Sequence, residues 1–207
     1  MFINRMDRRY TEIMIYSEQV QRAVTVAARA HAGQLRKGKD VPYVVHPFSV
    51  LLVASQVTDD DDTLAACLLH DVLEDVAPEI YSGQDMRRDF GDHVLEIVKT
   101  VSKDEQIPGW RPRNEAYLDS IRNTVLQEAL VVCAADKIHN LSDTLADYEV
   151  VGDQLWERFH AGKDDQLWWY GAVLAVMRQR LPDSPLTAQL QELVAELKSI
   201  VNPKNEA

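Results

Sequence analysis

The sequence contains few cysteines. Its 207 residues include only Cys67 and Cys133. Each lies inside an apolar stretch of helical character, so we expect two small core residues rather than a disulfide pair. Disulfides stabilise proteins of oxidising compartments, and their expected absence here favours a reducing, cytoplasmic setting.

Positive charge is also scarce. The chain carries 22 lysines and arginines against 33 acidic residues, a formal net charge of -11. Nonspecific binding to nucleic acid requires a basic surface that neutralises phosphates. We therefore expect no nucleic-acid partner, and any anionic ligand must be held by a local basic patch or by a cation.

Long apolar runs are absent as well. No run approaches the roughly 20 residues that a bilayer-spanning helix needs, and the opening MFINRMDRRY lacks the hydrophobic centre of a signal peptide. We expect no membrane association.

Sustained period-two alternation, typical of strands, is missing too, whereas apolar residues recur at helical spacing. The sequence predicts an all-α fold, a single-domain helical bundle of about 9–11 helices. A length of 207 residues fits one domain, 1–207, with a core at about 17–180 and a C-terminal helix at about 187–201.

The stretch at residues 64–76 begins as an apolar helix and becomes charged without a break in the pattern. Residues three and four apart share a helical face, so the face of Leu64 and Leu68 continues into Asp71. A carboxylate at the edge of a core is costly unless it is paired, protonated or bound to a metal. His70 supplies a second metal-compatible ligand beside it.

Glu74 and Asp75 follow at once, near the C-terminus of the same predicted helix, where the helix dipole disfavours negative charge. One interpretation is that all four polar residues are simply solvated at the end of a surface helix. Their unfavourable placement favours a functional role.

The segment at residues 31–47 is predicted to be a loop with a local group of cations, Arg36, Lys37 and Lys39. In so acidic a chain this group is a candidate for binding phosphate or stacking on a base. His46 precedes Pro47, and proline favours the first helical position. We therefore expect His46 to cap a helix that ends near residue 56.

A second apolar run, residues 130–135, leads into Asp136, and Asn140 lies on the same helical face. A lone aspartate in this position is often just a hydrogen-bonded polar group. The loop predicted at 102–113 adds positive charge, including Lys103. The aromatic run at residues 168–170 is interpreted as core, with a platform for a base as the alternative.

His46, the adjacent His70 and Asp71, and Asp136 form an H…HD…D pattern, which resembles the HD superfamily of metal-dependent phosphohydrolases. The resemblance is closer to the hydrolase domain of RelA/SpoT proteins and their small stand-alone relatives of the metazoan SpoT homologue type. Four segments carry it in the same order: HAGQLRKGKDVPYVVHP (31–47), LLHDVLEDV (68–76), FGDHVLEIVKTVSKDE (90–105) and AADKIHNL (134–141).

The resemblance implies a helical hydrolase that removes the 3′-pyrophosphate of guanosine tetra- and pentaphosphate, usually with manganese. The implied metal ligands are His46, His70, Asp71 and Asp136. The implied water-handling acids are Glu74 and Asp75, and the implied substrate-binding residues are Arg36, Lys37 and Asn140. By ligand type alone zinc, iron or cobalt is also possible. The resemblance includes no synthetase segment, so we expect degradation only.

Three positions depart from the common pattern of the long enzymes: Gly38 stands in place of serine, and Ser102 and Asp143 stand in place of threonine. Two other functions remain open. One is a related phosphohydrolase, such as a nucleotidase or an NADPH 2′-phosphatase. The loop with Arg36 and Lys37 weakly argues against it, because the broader HD nucleotidases need not have such a loop. The other is a nucleotide-binding module without turnover, against which the acids at 74 and 75 argue. The sequence leaves the oligomeric state open.

Overall fold

The computed structural model describes residues 17–158 and 161–203, and within them it contains helices and no strand. The predicted all-α fold is confirmed. The α-helices are α1 (Glu18–Ala30), α2 (Val45–Ala54), α3 (Asp61–Leu69), α4 (Val72–Asp75), α5 (Gly83–Val101), α6 (Trp110–Asn123), α7 (Gln127–Val151), α8 (Lys163–Arg180) and α9 (Pro185–Val201). A 3-10 helix, Gly152–Arg158, joins α7 to α8.

The central element is α7, which packs against α2, α3, α5, α8 and α9. It is a single helix of 25 residues. No glycine or proline interrupts this segment, so the helix continues until Gly152, whose φ of 60° ends it. The long helix buries its first half in the core and carries its second half out beside the loop at 31–44.

The helix predicted at 64–76 is divided in two, contrary to expectation. α3 ends at Leu69, and α4 begins at Val72. At the junction, the ring Nδ1 of His70 lies 2.8 Å from the backbone carbonyl oxygen of Cys67. The side chain thus competes for a carbonyl that would otherwise serve the helix ladder, and the break presents His70 and Asp71 at the end of α3.

Several predicted boundaries also move. His46 lies in the first turn of α2 rather than at its cap. The loop predicted at 102–113 is shorter, since α6 begins at Trp110 after Gly109, whose φ is 88°. α5 contains a non-helical kink at Gly91, whose φ is 86°.

The core contains both cysteines, which are buried and unpaired, as predicted. α3 is lined with small buried residues, including Ala65 and Ala66, which allow close packing against α1, α2 and α5. The terminal helix α9 packs on α7 and α8. Among the helices that the structure describes, none combines the length and apolarity needed to cross a bilayer.

Candidate active site

The four side chains predicted as metal ligands converge on one point at the edge of the core. Nε2 of His46 lies 3.2 Å from Nε2 of His70, 3.3 Å from Oδ2 of Asp71 and 3.2 Å from Oδ1 of Asp136. Nε2 of His70 lies 3.1 Å from the same Asp71 oxygen and 3.7 Å from the same Asp136 oxygen. α2, the junction of α3 and α4, and α7 therefore each contribute to one cluster.

This donor set fits a divalent cation. Nitrogen and oxygen ligands lie about 2.0–2.2 Å from such ions, so ligands at right angles are about 3 Å apart. The distances from Nε2 of His46 to the Asp71 and Asp136 oxygens, 3.3 and 3.2 Å, are close to that separation. Two imidazoles with two carboxylates suit borderline-hard metals, and four protein ligands leave positions open on a six-coordinate ion.

Both imidazoles are oriented by contacts to their other ring nitrogen. His70 Nδ1 donates to the Cys67 carbonyl oxygen, which turns Nε2 toward the carboxylates of Asp71 and Asp136. His46 Nδ1 lies 2.8 Å from Nδ1 of His139, so one of these two nitrogens donates to the other. Contacts of this kind fix the tautomer and the ring plane of a metal-binding histidine.

His139 is suited to accept that hydrogen bond. Burial, followed by the proximity of His46 and Arg36, lowers its pKa to about 4. A neutral His139 offers a lone pair at Nδ1, to which Nδ1 of His46 can donate. The ADKIHN motif contained this histidine, but nothing in the sequence indicated that it faces His46.

The carboxylates of the cluster stay ionised in spite of their burial. Burial disfavours the charged form of Asp71, yet His70 and His46 hold its pKa well below the usual range. Burial likewise opposes ionisation of Asp136, and Lys137, followed by His46, lowers the pKa of Asp136 well below its usual range. Burial opposes the charged form of His70, but Asp71 and Asp136 raise its pKa well above the usual value. His70 and Lys137 therefore balance the two carboxylates.

Tyr43, which the sequence analysis did not select, links two of the acids. Its hydroxyl oxygen lies 2.6 Å from Oδ2 of Asp71 and 2.9 Å from Oδ2 of Asp75. One phenol carries one proton and can donate to only one of these oxygens. Burial and then the charge of Asp71 raise the pKa of Asp75, and a proton on Asp75 completes the pair of hydrogen bonds.

Glu74 lies beside the cluster on α4. Its Oε1 accepts a hydrogen bond of 2.9 Å from the backbone N–H of Lys103. Burial and the nearby Asp71 charge raise the pKa of Glu74 to about 7. A carboxylate with a pKa near the working pH is suited to accept and return a proton.

Two lysines, neither selected as a site residue by the sequence analysis, lie behind the cluster. Lys137 forms an ion pair with Asp136 through adjacent positions on α7. The Nζ atoms of Lys103 and Lys137 both lie over the rings of Tyr117 and Trp169, at 5.0 to 5.8 Å from the ring centroids. Trp169 is buried, as expected, and its ring also contacts the ammonium groups of Lys103 and Lys137.

A cleft of about 220 Å³ opens between the 31–44 loop, the outer half of α7 and the 3-10 helix. Four basic side chains line it: Arg36, Lys37, Lys39 and Arg158. Arg36 Nη2 lies 2.9 Å from Oδ2 of Asp143, and Lys39 Nζ lies 2.8 Å from Oδ1 of Asp147. Acidic groups of α7 thus partly neutralise the basic cleft.

Asn140 connects this cleft to the metal-binding cluster. Its amide nitrogen donates to Oδ1 of Asp136, and its carbonyl oxygen accepts a hydrogen bond of 3.2 Å from Arg36. The structure therefore brings Arg36 and Asn140 together, whereas Lys37 lies exposed at the rim of the cleft.

The family model described as the HD domain matches residues 23–165. The chain is 38% identical over 128 residues to a GTP pyrophosphokinase of Streptomyces coelicolor, a match that covers 59% of this chain and 14% of that protein. It is 35% identical over 129 residues to the bifunctional (p)ppGpp synthase/hydrolase SpoT of Escherichia coli, which covers 60% of this chain and 18% of SpoT. The chain thus spans less than a fifth of these relatives.

Two solved structures are also similar. One, described as a metazoan ortholog of SpoT that hydrolyzes ppGpp, has a TM-score of 0.71 and 25% identity, with 87% of this chain and 96% of that chain covered. A Listeria monocytogenes protein has a TM-score of 0.65 at 24% identity, with 73% and 97% covered, and shares the fold. Because the family model matches well over half of the sequence, the chain belongs to the HD-domain family.

Proposed function

We propose that this protein is a metal-dependent hydrolase of guanosine tetra- and pentaphosphate, which it converts to GDP or GTP and pyrophosphate. The observation that supports the proposal most strongly is that the histidine–aspartate cluster and the basic cleft lie next to each other. His46, His70 and Asp136 lie close enough together to hold one metal ion, Asp71 lies beside both imidazoles, and a cleft with four basic side chains is adjacent. Relatives with SpoT activity or homology supply the substrate class.

The cleft supplies the binding component. Arg36 and Lys37 are proposed to bind the guanine base and its phosphates, since guanidinium groups both stack on rings and form paired hydrogen bonds to phosphate. Asn140 is proposed to contact the nucleotide from its position between Arg36 and Asp136. The cations of this loop compensate locally for a chain with a net charge of -11.

His46, His70, Asp71 and Asp136 are proposed to hold the ion, which we propose is manganese. When bound, Mn²⁺ would lower the pKa of a water molecule and neutralise charge on the phosphoryl group.

The acids of α4 are proposed to handle the protons. Glu74, whose pKa lies near 7, accepts a proton as the water oxygen forms its bond to phosphorus. The bond between phosphorus and the 3′-oxygen breaks, and Asp75, whose pKa is raised, is positioned as the acid that protonates the departing oxygen. Water, one substrate molecule and no other reactant balance the reaction.

Purified protein loaded with Mn²⁺ and incubated with ppGpp tests the proposal directly. The expected products are GDP and pyrophosphate in equal amounts, and activity should disappear when a chelator removes the metal. Absence of pyrophosphate release from ppGpp and pppGpp would contradict the proposed substrate.

The NADPH 2′-phosphatase or nucleotidase alternative uses the same metal centre and releases orthophosphate. A substrate panel that measures orthophosphate and pyrophosphate separately distinguishes the two. The basic cleft favours the more highly charged substrate, because its cations are otherwise neutralised only in part.

The non-catalytic alternative, a nucleotide-binding module, is disfavoured by the pKa of Glu74, which suits proton transfer better than simple binding. We further propose that residues 1–207 form one hydrolase domain, with α9 packed on its core, and that it works in the cytoplasm. Buried unpaired cysteines support a reducing compartment.

A further inference from the structure

Lys103 has an unusual environment for a lysine. It begins the loop after α5, is half-buried, and its Nζ lies 5.0 Å from the ring centroid of Trp169 and 5.8 Å from that of Tyr117. Among residues 17–158 and 161–203, none forms an ion pair or a hydrogen bond with this ammonium group. Its contacts there are with aromatic faces.

The position of Lys103 is fixed at its backbone. α5 ends at Ser102, whose hydroxyl bonds to the carbonyl oxygen of Val98, and the next N–H, that of Lys103, donates to Oε1 of Glu74. Glu74 belongs to α4, directly after His70 and Asp71. The backbone of Lys103 is therefore held against the proposed water-handling acid.

The neighbouring Lys137 provides an internal comparison. Both ammonium groups lie over the rings of Tyr117 and Trp169, but Lys137 forms an ion pair with Asp136 and Lys103 does not. Aromatic rings stabilise a cation without cancelling its charge. The charge of Lys103 is thus partly dehydrated and has no direct anionic contact among the described residues, although the charges of Glu74, Asp136 and Asp71 act on it at longer range.

Such a cation favours a negatively charged ligand. Burial and then the charge of Lys137 lower the pKa of Lys103, which is the direction expected for an ammonium that lacks an anionic partner. Binding of a phosphoryl group would supply that partner through charge-assisted hydrogen bonds.

We propose that Lys103 binds the outer phosphoryl group of the substrate's 3′-pyrophosphate and so favours transfer of a pyrophosphoryl group, rather than a single phosphoryl group, to water. The inference rests on the proposed function. It identifies a substrate-binding residue outside the basic cleft, on the side of the cluster formed by α4, α5 and α8. In this proposal the outer phosphoryl group of a pyrophosphate pairs with Lys103, and a monophosphate has no such group.

Binding of pyrophosphate and of orthophosphate to Mn-loaded protein, measured by calorimetry and corrected with titrations into Mn²⁺ alone, tests this role. In Lys103→Met, which keeps the apolar stem on the rings, the pyrophosphate Kd should rise about 10- to 100-fold, as for loss of a charged hydrogen bond. The orthophosphate Kd should change less than about threefold. Lys103→Arg should restore most of the pyrophosphate affinity, and circular dichroism should show native helicity in all three proteins.

Equal pyrophosphate affinity in the parent and in Lys103→Met would overturn the inference, as would equal loss for both anions or no binding of pyrophosphate by the parent. If Lys103→Met does not fold, Lys103→Gln takes its place with the same expectations. Failure of the proposed function gives a different result: Lys103-dependent pyrophosphate binding by a protein that releases no pyrophosphate from ppGpp.

Discussion

The proposed metal-binding cluster, His46, His70, Asp71 and Asp136, and the basic cleft lie side by side but are built differently. In the cluster, each proposed ligand has a second contact that fixes it: His139 for His46, the Cys67 carbonyl for His70, Tyr43 for Asp71, and Lys137 and Asn140 for Asp136. In the cleft, Arg36 and Lys39 are held by Asp143 and Asp147, which are themselves partly exposed.

This difference separates two roles. The cluster places its donors before any ligand arrives, so little reorganisation is needed for an ion to bind. In the cleft, Arg36 and Lys39 are held in ion pairs that an incoming phosphate must replace. The free energy gained on binding is therefore only the difference between the phosphate and carboxylate interactions of these cations. We therefore expect substitutions in the cluster to abolish chemistry and those in the cleft to have graded effects.

The largest effect is expected for Asp136→Asn. The amide is a poorer metal ligand, and Lys137 loses the charge that balances it in the core. Pyrophosphate release from ppGpp should fall by more than about 10⁴-fold, as expected when metal activation of water is lost. The metal content of the variant after gel filtration shows whether the lost turnover reflects lost metal. Asp92→Asn, on the exposed part of α5, is the control. A metal-free variant that kept full turnover would remove the cluster from the mechanism.

Glu74→Gln should separate ion binding from chemistry. The amide oxygen can still accept the Lys103 N–H, so the local structure is retained, but the group no longer takes a proton. Turnover should fall by about 10²- to 10⁴-fold, and bound Mn²⁺ should match that of the parent by elemental analysis. Unchanged kcat would mean that Glu74 has no role in proton transfer.

His139→Phe tests the orientation of His46 without touching a proposed ligand. The phenyl ring keeps most of the volume but offers no acceptor for His46 Nδ1. The Kd for Mn²⁺ should rise about 10- to 100-fold, the usual range for loss of an outer contact. Titration with a competing chelator measures it, and an unaltered Kd would show that packing alone orients His46.

The smallest effect concerns the cleft and depends on pH. Burial of Asp143 is outweighed by its hydrogen bonds from Lys39 and Arg36, which lower its pKa. A carboxylate whose pKa is lower in the folded state than in the unfolded state stabilises the fold at pH values above the unfolded-state pKa. That stabilisation is lost as the pH falls through the folded-state pKa. Asp143→Asn should therefore cost about 0.5–1 kcal/mol in the free energy of unfolding at pH 7.

The difference between the parent and Asp143→Asn should shrink below about pH 4, where the carboxyl is protonated first in the unfolded state and, at lower pH, in the folded state as well. Urea unfolding of both proteins at a series of pH values measures it. A gap that stays constant down to the lowest pH would show that charge is not its source.

The fold class could be read from the sequence because helical periodicity is a local property. The helix break at His70 could not be predicted, because it follows from a hydrogen bond of the His70 side chain to the Cys67 carbonyl oxygen. The same sequence is also compatible with an unbroken helix. Likewise, the continuity of α7 over its 25 residues reflects packing along its length rather than any local signal.

For the proposed site, the sequence pattern selected histidines and aspartates at the ends of apolar runs, and the structure brings these side chains close together. The residues that support them, His139, Tyr43 and Lys137, were not selected, because their roles arise from contacts between segments far apart in the chain. A tyrosine three positions before His46 carries no local sign that it bonds to Asp71.

The central claim is that one divalent ion, held by His46, His70, Asp71 and Asp136, drives the release of pyrophosphate from ppGpp. Chelator-stripped protein titrated with Mn²⁺, with ion binding and pyrophosphate release measured on the same samples, tests it most directly. We predict that both saturate together near about one ion per chain and that both are lost in Asp136→Asn. Turnover that persists in excess chelator, or ion binding that Asp136→Asn leaves intact, would contradict the account.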